Sequence, residues 1–221
     1  LLASSAASDV YKRQLSGNMS GIIAVLYASI MALPVPFKAV HLLFINLLTD
    51  SLPAIAIGME KSNKDLLKDK PRDSKESILT KDFMIEIAFE GLLIALFTII
   101  AFHIGLSTGN HEVASTMAFS TLCLARLFHG FNCRGKKSVF ALGIFSNKFS
   151  WYAFVAGLVF LNAVLFIPPL QSLFQVANLS GSLVLAIYLL AFLPTLIIQV
   201  YKVFAKDSDR AESKNAEKNL S

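Results

Sequence analysis

The chain has 221 residues, of which 55% are hydrophobic and 16% charged, with a formal net charge of +5; its mean hydropathy is +0.61. That balance excludes an ordinary soluble domain, and the 18 Phe lie along continuous apolar runs rather than one-faced stripes. The positive balance needs no nucleic-acid partner, because short loops beside anionic lipid carry the same excess of Lys and Arg.

Leu1–Gln14 is small and polar and lacks the basic, apolar and cleavage regions of a signal peptide. It reads as an unrelated leader or artefact and is set aside from functional reasoning. Runs near the length of about 20 residues that a helix needs to span a bilayer follow at about 15–33, 38–58, 83–104, 113–132, 150–167 and 181–204. The expected fold is therefore all-α: a polytopic transmembrane helical bundle with six membrane spans. Pro34-Val35-Pro36 cannot continue a helix and reads as a tight turn between the first two spans.

Lys61, Lys64, Lys68, Lys70, Arg72, Lys75 and Lys81 crowd the loop 59–82, and Arg134, Lys136, Lys137 and Lys148 lie in the loop 133–149. The alternate loops, 105–112 and 168–180, contain no Lys or Arg. By the positive-inside rule the basic loops and both ends are cytoplasmic, as in a multi-pass protein of the cell membrane. Residues 205–221 mix Lys, Asp, Glu, Ser and Asn and read as a flexible cytoplasmic tail. Cys123 and Cys133 have no metal-ligand spacing and read as free thiols.

The chemistry concentrates in the second span. A carboxylate at the centre of a membrane helix costs about 2.5–3.5 kcal/mol on insertion scales, so Asp50 marks an ion pathway or a buried partner. Asn46, Thr49 and Asp50 are three and four residues apart, which stacks their oxygens on one helix face where a hard cation could collect several of them. Pro53 has no N–H for the carbonyl of Thr49, so the second span should be unwound near Asp50-Pro53 with a backbone oxygen set free. Oxygen-only ligands favour calcium, manganese or a monovalent ion over soft metals. A secondary cation transporter or exchanger would also combine a broken helix with a midplane acid.

Asn46-Leu47-Leu48-Thr49-Asp50-Ser51-Leu52-Pro53-Ala54 resembles the sixth-segment pattern N-L-x-T-D-x-L-P-A of P-type ATPases of the calcium-pump type. Ser16-Gly17-Asn18 resembles the family's fifth segment, and Asp69-Lys70-Pro71-Arg72 its cytoplasmic D-x-P-R element. Residues 15–204 thus look like the fifth to tenth segments, the carboxy-terminal cation-transport membrane domain. The resemblance implies a parent enzyme, a calcium-translocating ATP hydrolase, that binds ATP and magnesium outside this stretch. It also implies a missing amino-terminal half: the first four membrane segments with the actuator, phosphorylation and nucleotide domains. The family's D-K-T-G, T-G-E and G-D-G motifs are not among these residues, so the stretch alone is not catalytic. A manganese-transporting pump of the same family is the close alternative.

Carried over residue by residue, the resemblance makes Asp50 the carboxylate shared by both cation sites of two-site pumps and Asn46 a ligand of the site nearer the fourth segment. Thr49 and Asn18 match ligands of the other site. That site is depleted. Gly21 stands three residues after Asn18 where two-site pumps carry glutamate, and Arg126 stands where they carry another. A guanidinium stays protonated, so it would repel a second divalent ion instead of ligating it. The pattern resembles the one-ion subset of bacterial calcium pumps, with Arg126 as a built-in counter-charge.

Plainer roles stand beside these. Asn46 and Asp50 could form an interhelical hydrogen-bond pair, Arg126 could snorkel to the cytoplasmic interface, and Thr49 could cap its own helix. His41, His103 and His129 near span ends read as packing or interfacial residues. Glu86 and Glu90 should pair with a basic loop residue such as Lys81 or with a neighbouring arginine, a proton path being the other reading. Gly157 and Asn162 read as close-packing positions.

Overall fold

A computed structural model describes residues 2–51, 80–134, 138, 139, 143 and 145–218, with backbone alone for 2–7, 48–50 and 205–218. Every regular element among the described residues is a helix. In chain order these are α1 (Leu2–Ile30), α2 (Ala39–Phe44) running into a π-helical turn at Ile45–Asp50, α3 (Lys81–Leu106), α4 (His111–Asn132), α5 (Lys148–Phe166), α6 (Pro168–Phe174) and α7 (Gly181–Lys218).

The ends of these helices follow from local chemistry. α1 stops where Ala32 turns left-handed (φ +51°) and the Leu33 N–H reaches back to the Ala28 carbonyl at 2.8 Å. The expected turn at Pro34-Val35-Pro36 then leads into α2. The Asn110 side chain caps α4 by accepting from the Glu112 N–H at 2.8 Å, and Asn147 caps α5 by accepting from Phe149 at 2.9 Å and Ser150 at 3.1 Å. α6 lies in the 168–180 stretch that reads as a loop, its proline pair placed at the first turn where missing N–H groups cost nothing.

Helix α4 is the axis of the bundle. It touches α1, α3, α5, α7 and the π-helical turn, and every residue from Val113 to Leu127 is buried. Among the described residues three helices are long and apolar enough to cross a membrane: α3, α5 and the Gly181–Phe204 part of α7. Their outer faces carry exposed Ile85, Leu92 and Leu96 on α3 and exposed Leu185, Leu189 and Leu196 on α7, apolar stripes suited to lipid. α1 and α4 have spanning lengths of 29 and 22 residues, yet α4 mixes in Ser, Thr, Arg and Asn. A helix shielded by its neighbours has no lipid face that must be apolar. The second span is described only to Ser51, so Pro53 and the break expected around it lie outside the described residues. Toward the carboxy terminus α7 continues as helix through 205–218, the stretch expected as a tail.

Candidate cation site at the junction of three helices

Arg126 does not snorkel. Its side chain is buried (4% exposed), and Nη2 donates to the Asn18 Oδ1 at 3.1 Å across the α1–α4 contact. The approach is close because residue 17 has no side chain: a Cβ there would stand 2.6 Å from the Arg126 Nε and 2.8 Å from its Cζ. One turn along α1, Gly21 faces Leu122, whose methyl would lie 3.7 Å from a Cβ at that position. The two positions where the family resemblance places glutamates are thus occupied by a guanidinium laid on α1 and by an oxygen-free contact.

α4 also meets the π-helical turn that carries Asn46, Thr49 and Asp50. Asn46 is exposed, and its carbonyl accepts weakly from the Ser51 hydroxyl at 3.5 Å. The backbone of Thr49 and Asp50 is wound in the wide π turn, while the directions of their side chains lie outside the described residues. Single π turns inside α-helices recur at functional sites.

The helix α2 is fastened by His41, a fully buried ring (0% exposed) stacked on Phe119 with centroids 4.3 Å apart. Its Nδ1 accepts from the Lys38 backbone N–H at 3.2 Å, so Nε2 carries the proton and donates to the Phe174 carbonyl at 2.9 Å. Phe174 ends α6, where helix carbonyls lack intrahelical partners. Lys38 Nζ meets the next one, donating to the Gln175 carbonyl at 2.9 Å. Phe44 stands edge-on to both Phe119 and Phe174, and the Ser115 hydroxyl holds the turn through the Pro36 carbonyl at 3.1 Å.

At the opposite end the structure corrects the partner of the α3 acids. Glu86 and Glu90 pair with Lys12 of α1, not with Lys81; Lys12 lies 2.9 Å from the Glu90 Oε1 and contacts the Glu86 Oε1 as well. Burial opposes the charge on Lys12, but Glu90, Cys133 and Glu86 together outweigh it and hold the ammonium above its ordinary value. The Glu90 Oε2 lies 3.5 Å from the His129 Nε2, which also contacts the Ser16 hydroxyl at 2.9 Å and the Cys133 sulfur at 3.3 Å. Burial, reinforced by Glu90, pushes the Cys133 thiol up to about 12.

Glu90, His129 and Cys133 offer ligand atoms within 4.8 Å of one another, a grouping hidden from sequence spacing because Glu90 sits on a different helix. Lys12, Arg13, Lys202 and Arg126 all act on His129 with positive charge, so a further cation is opposed there and the group works as an ion-pair network. The network continues to α7: the Gln199 amide donates to the Asn132 Oδ1 at 2.7 Å and accepts from the Val139 N–H at 2.9 Å. Nothing in the local pattern around Lys12 points to Glu86 or Glu90, which lie on another helix. Gly157 and Asn162 pack as expected, Gly157 against Leu127 and Asn162 hydrogen-bonded to the Tyr188 hydroxyl at 2.7 Å. Cys123 and Cys133 are both buried, and neither is in a disulfide.

Comparison with known proteins adds an independent line. The family described as "Cation transporting ATPase, C-terminus" matches residues 34–204. A calcium-transporting ATPase of Bacillus subtilis (strain 168) is 37% identical over 187 residues, covering 83% of this chain and 21% of the relative. One from Listeria monocytogenes is 41% identical over 166 residues, covering 73% of this chain and 18% of the relative. The mouse calcium-transporting ATPase type 2C member 1 is 32% identical over 169 residues, covering 76% and 18%. The chain thus spans about a fifth of the length of these relatives, at 18–21%.

Proposed function

This chain belongs to the P-type cation-transporting ATPases as part of their carboxy-terminal membrane region, and on that premise we propose that it forms the transport domain of a calcium-exporting pump with one ion site. The site is built on Asn46 and Asp50, with Thr49 and Asn18 beside them. The whole pump binds ATP and magnesium outside these residues and couples ATP hydrolysis to the expulsion of calcium from the cytoplasm. Six spans hold the chain in the cell membrane with both ends cytoplasmic.

The observation that carries the one-ion reading is the Arg126–Asn18 contact. The amide oxygen that would ligate a second cation already accepts from a guanidinium at 3.1 Å. A fixed positive charge in a medium of low dielectric repels a divalent ion strongly. Gly21 supplies no side-chain oxygen to compensate. Asp50 remains as the acid for the other position.

The test is Asp50→Asn in the full-length pump. Replacing the carboxylate by an amide removes the main negative charge opposing the ion, and calcium-activated ATP hydrolysis should be lost while the protein still inserts. Wild-type calcium activation in that variant would refute the site.

A further inference from the structure

We propose that His41 is a positioning residue for this cation site, acting as the link through which α6 holds the outer end of the second span and so sets the winding of Ile45–Asp50. The inference rests on the proposed pump site and deepens it.

The geometry is a clamp with two ends. On one side of the ring the Lys38 N–H donates to Nδ1 at 3.2 Å, and on the other Nε2 donates to the Phe174 carbonyl at 2.9 Å. A neutral imidazole has one donor and one acceptor, and both are engaged. Stacking on Phe119 of α4 fixes the plane of the ring. His41 therefore joins α2, α4 and α6 at one point, four residues before Ile45, where the α turn opens into the π turn.

The anchor at the far side is itself fixed. The Gln171 amide donates to the Leu165 carbonyl at 2.6 Å and to the Asn178 Oδ1 at 2.9 Å, while the Val176 N–H returns to the Gln171 carbonyl at 3.0 Å. Gln175 sits in the left-handed region at φ +53°, which ends α6 and presents the Phe174 and Gln175 carbonyls toward the second span. A π turn is a wound state with an α-helical competitor that differs by one residue of register. Tying the start of that segment to a fixed carbonyl opposes a slip in the backbone register of the turn that carries Asn46 and Asp50.

Two substitutions separate positioning from packing. His41→Phe keeps a flat ring against Phe119 and removes both hydrogen bonds; His41→Gln keeps an acceptor and a donor on one side chain. In the full-length pump His41→Phe should weaken apparent calcium affinity about five- to twentyfold, with maximal ATP turnover changed less than about twofold, and His41→Gln should restore affinity to within about twofold of wild type. Should His41→Phe not accumulate, Lys38→Ala decides: it cuts the parallel tether to the Gln175 carbonyl and should weaken affinity about two- to threefold with turnover kept.

Unchanged affinity in folded His41→Phe, or in Lys38→Ala where that variant decides, would overturn the inference, as would equal weakening by Phe and Gln. Asp50→Asn run in parallel distinguishes the two layers. Loss of calcium activation in Asp50→Asn beside unchanged His41→Phe sinks the clamp alone, whereas normal activation in Asp50→Asn sinks the site and the clamp with it.

Discussion

The Arg126 guanidinium lies where a side chain on residue 17 would be, with Nε 2.6 Å from the place of a Cβ on Gly17. The two residues are a matched pair, a hydrogen atom on α1 making the slot for a cation on α4. Gly17→Ala should displace the guanidinium from Asn18 and destabilise the bundle by about 1–3 kcal/mol, the usual range for overpacking. In an Arg126→Ala background the same change should cost little, since the slot is then empty. Thermal unfolding of the four purified proteins of that cycle measures the coupling, and additive effects would mean that the contact is not the reason residue 17 is glycine.

Asn46 and Asp50 should separate by the kind of defect they produce. Asn46→Ala removes a neutral oxygen ligand but leaves the charge, so apparent calcium affinity should fall about tenfold, or 1.4 kcal/mol, with maximal turnover nearly kept. Calcium titration of phosphoenzyme formation reads both quantities. A fall in turnover at saturating calcium without a shift in affinity would remove Asn46 from the ligand set.

If Arg126 and Gly21 leave one site empty, the pump binds one calcium per phosphoenzyme and the binding curve has a Hill coefficient near one, because cooperativity requires coupled sites. Arg126→Glu alone should not restore a second ion, since Gly21 still leaves a gap in a shell that needs about 6–8 oxygens. Equilibrium binding of labelled calcium, normalised to phosphorylatable protein, would contradict the reading by giving two ions in the wild type.

The Cys133 thiol titrates near 12 in the folded protein against an ordinary value of 9.0. It is therefore protonated, buried and slow to alkylate at neutral pH. As pH rises above about 9 an unfolded chain releases this proton while the folded one retains it, so the contribution of this group to stability is full below pH 9 and is lost towards pH 12. Maleimide labelling at about pH 7.5 should leave Cys133 unmodified until denaturant is added, and rapid labelling of the native protein would contradict its burial.

Some of this architecture was legible in the sequence because it depends on local rules. The prolines at 34 and 36 ended the first helix pair, and the apolar runs marked α3, α5 and α7. Arg126 stands out because the family resemblance places a glutamate there, although only the packed structure distinguishes a contact with Asn18 from snorkelling to the interface. His41 reads as a packing or interfacial ring, and it does pack on Phe119, but nothing in the spacing of 133 residues links it to Phe174. For Glu90 the local pattern offers a basic loop residue such as Lys81, a neighbouring arginine or a proton path, and does not point to Lys12. Its partner Lys12 comes from another helix, 78 residues earlier by number, and such pairings are set by tertiary packing rather than by local pattern.

Finally, the burial of α4 on all sides bears on how the protein is made. A helix bearing Arg126, Asn132 and a row of Ser and Thr partitions poorly into lipid by itself, because each polar group in hydrocarbon lacks a partner. In the folded bundle those groups are covered by α3 on one side and by α7 on another, where Gln199 meets Asn132. Without α7 the Asn132 amide and carbonyl would lose the partners that Gln199 and Lys202 supply, so α7 completes the shielding of this polar interior.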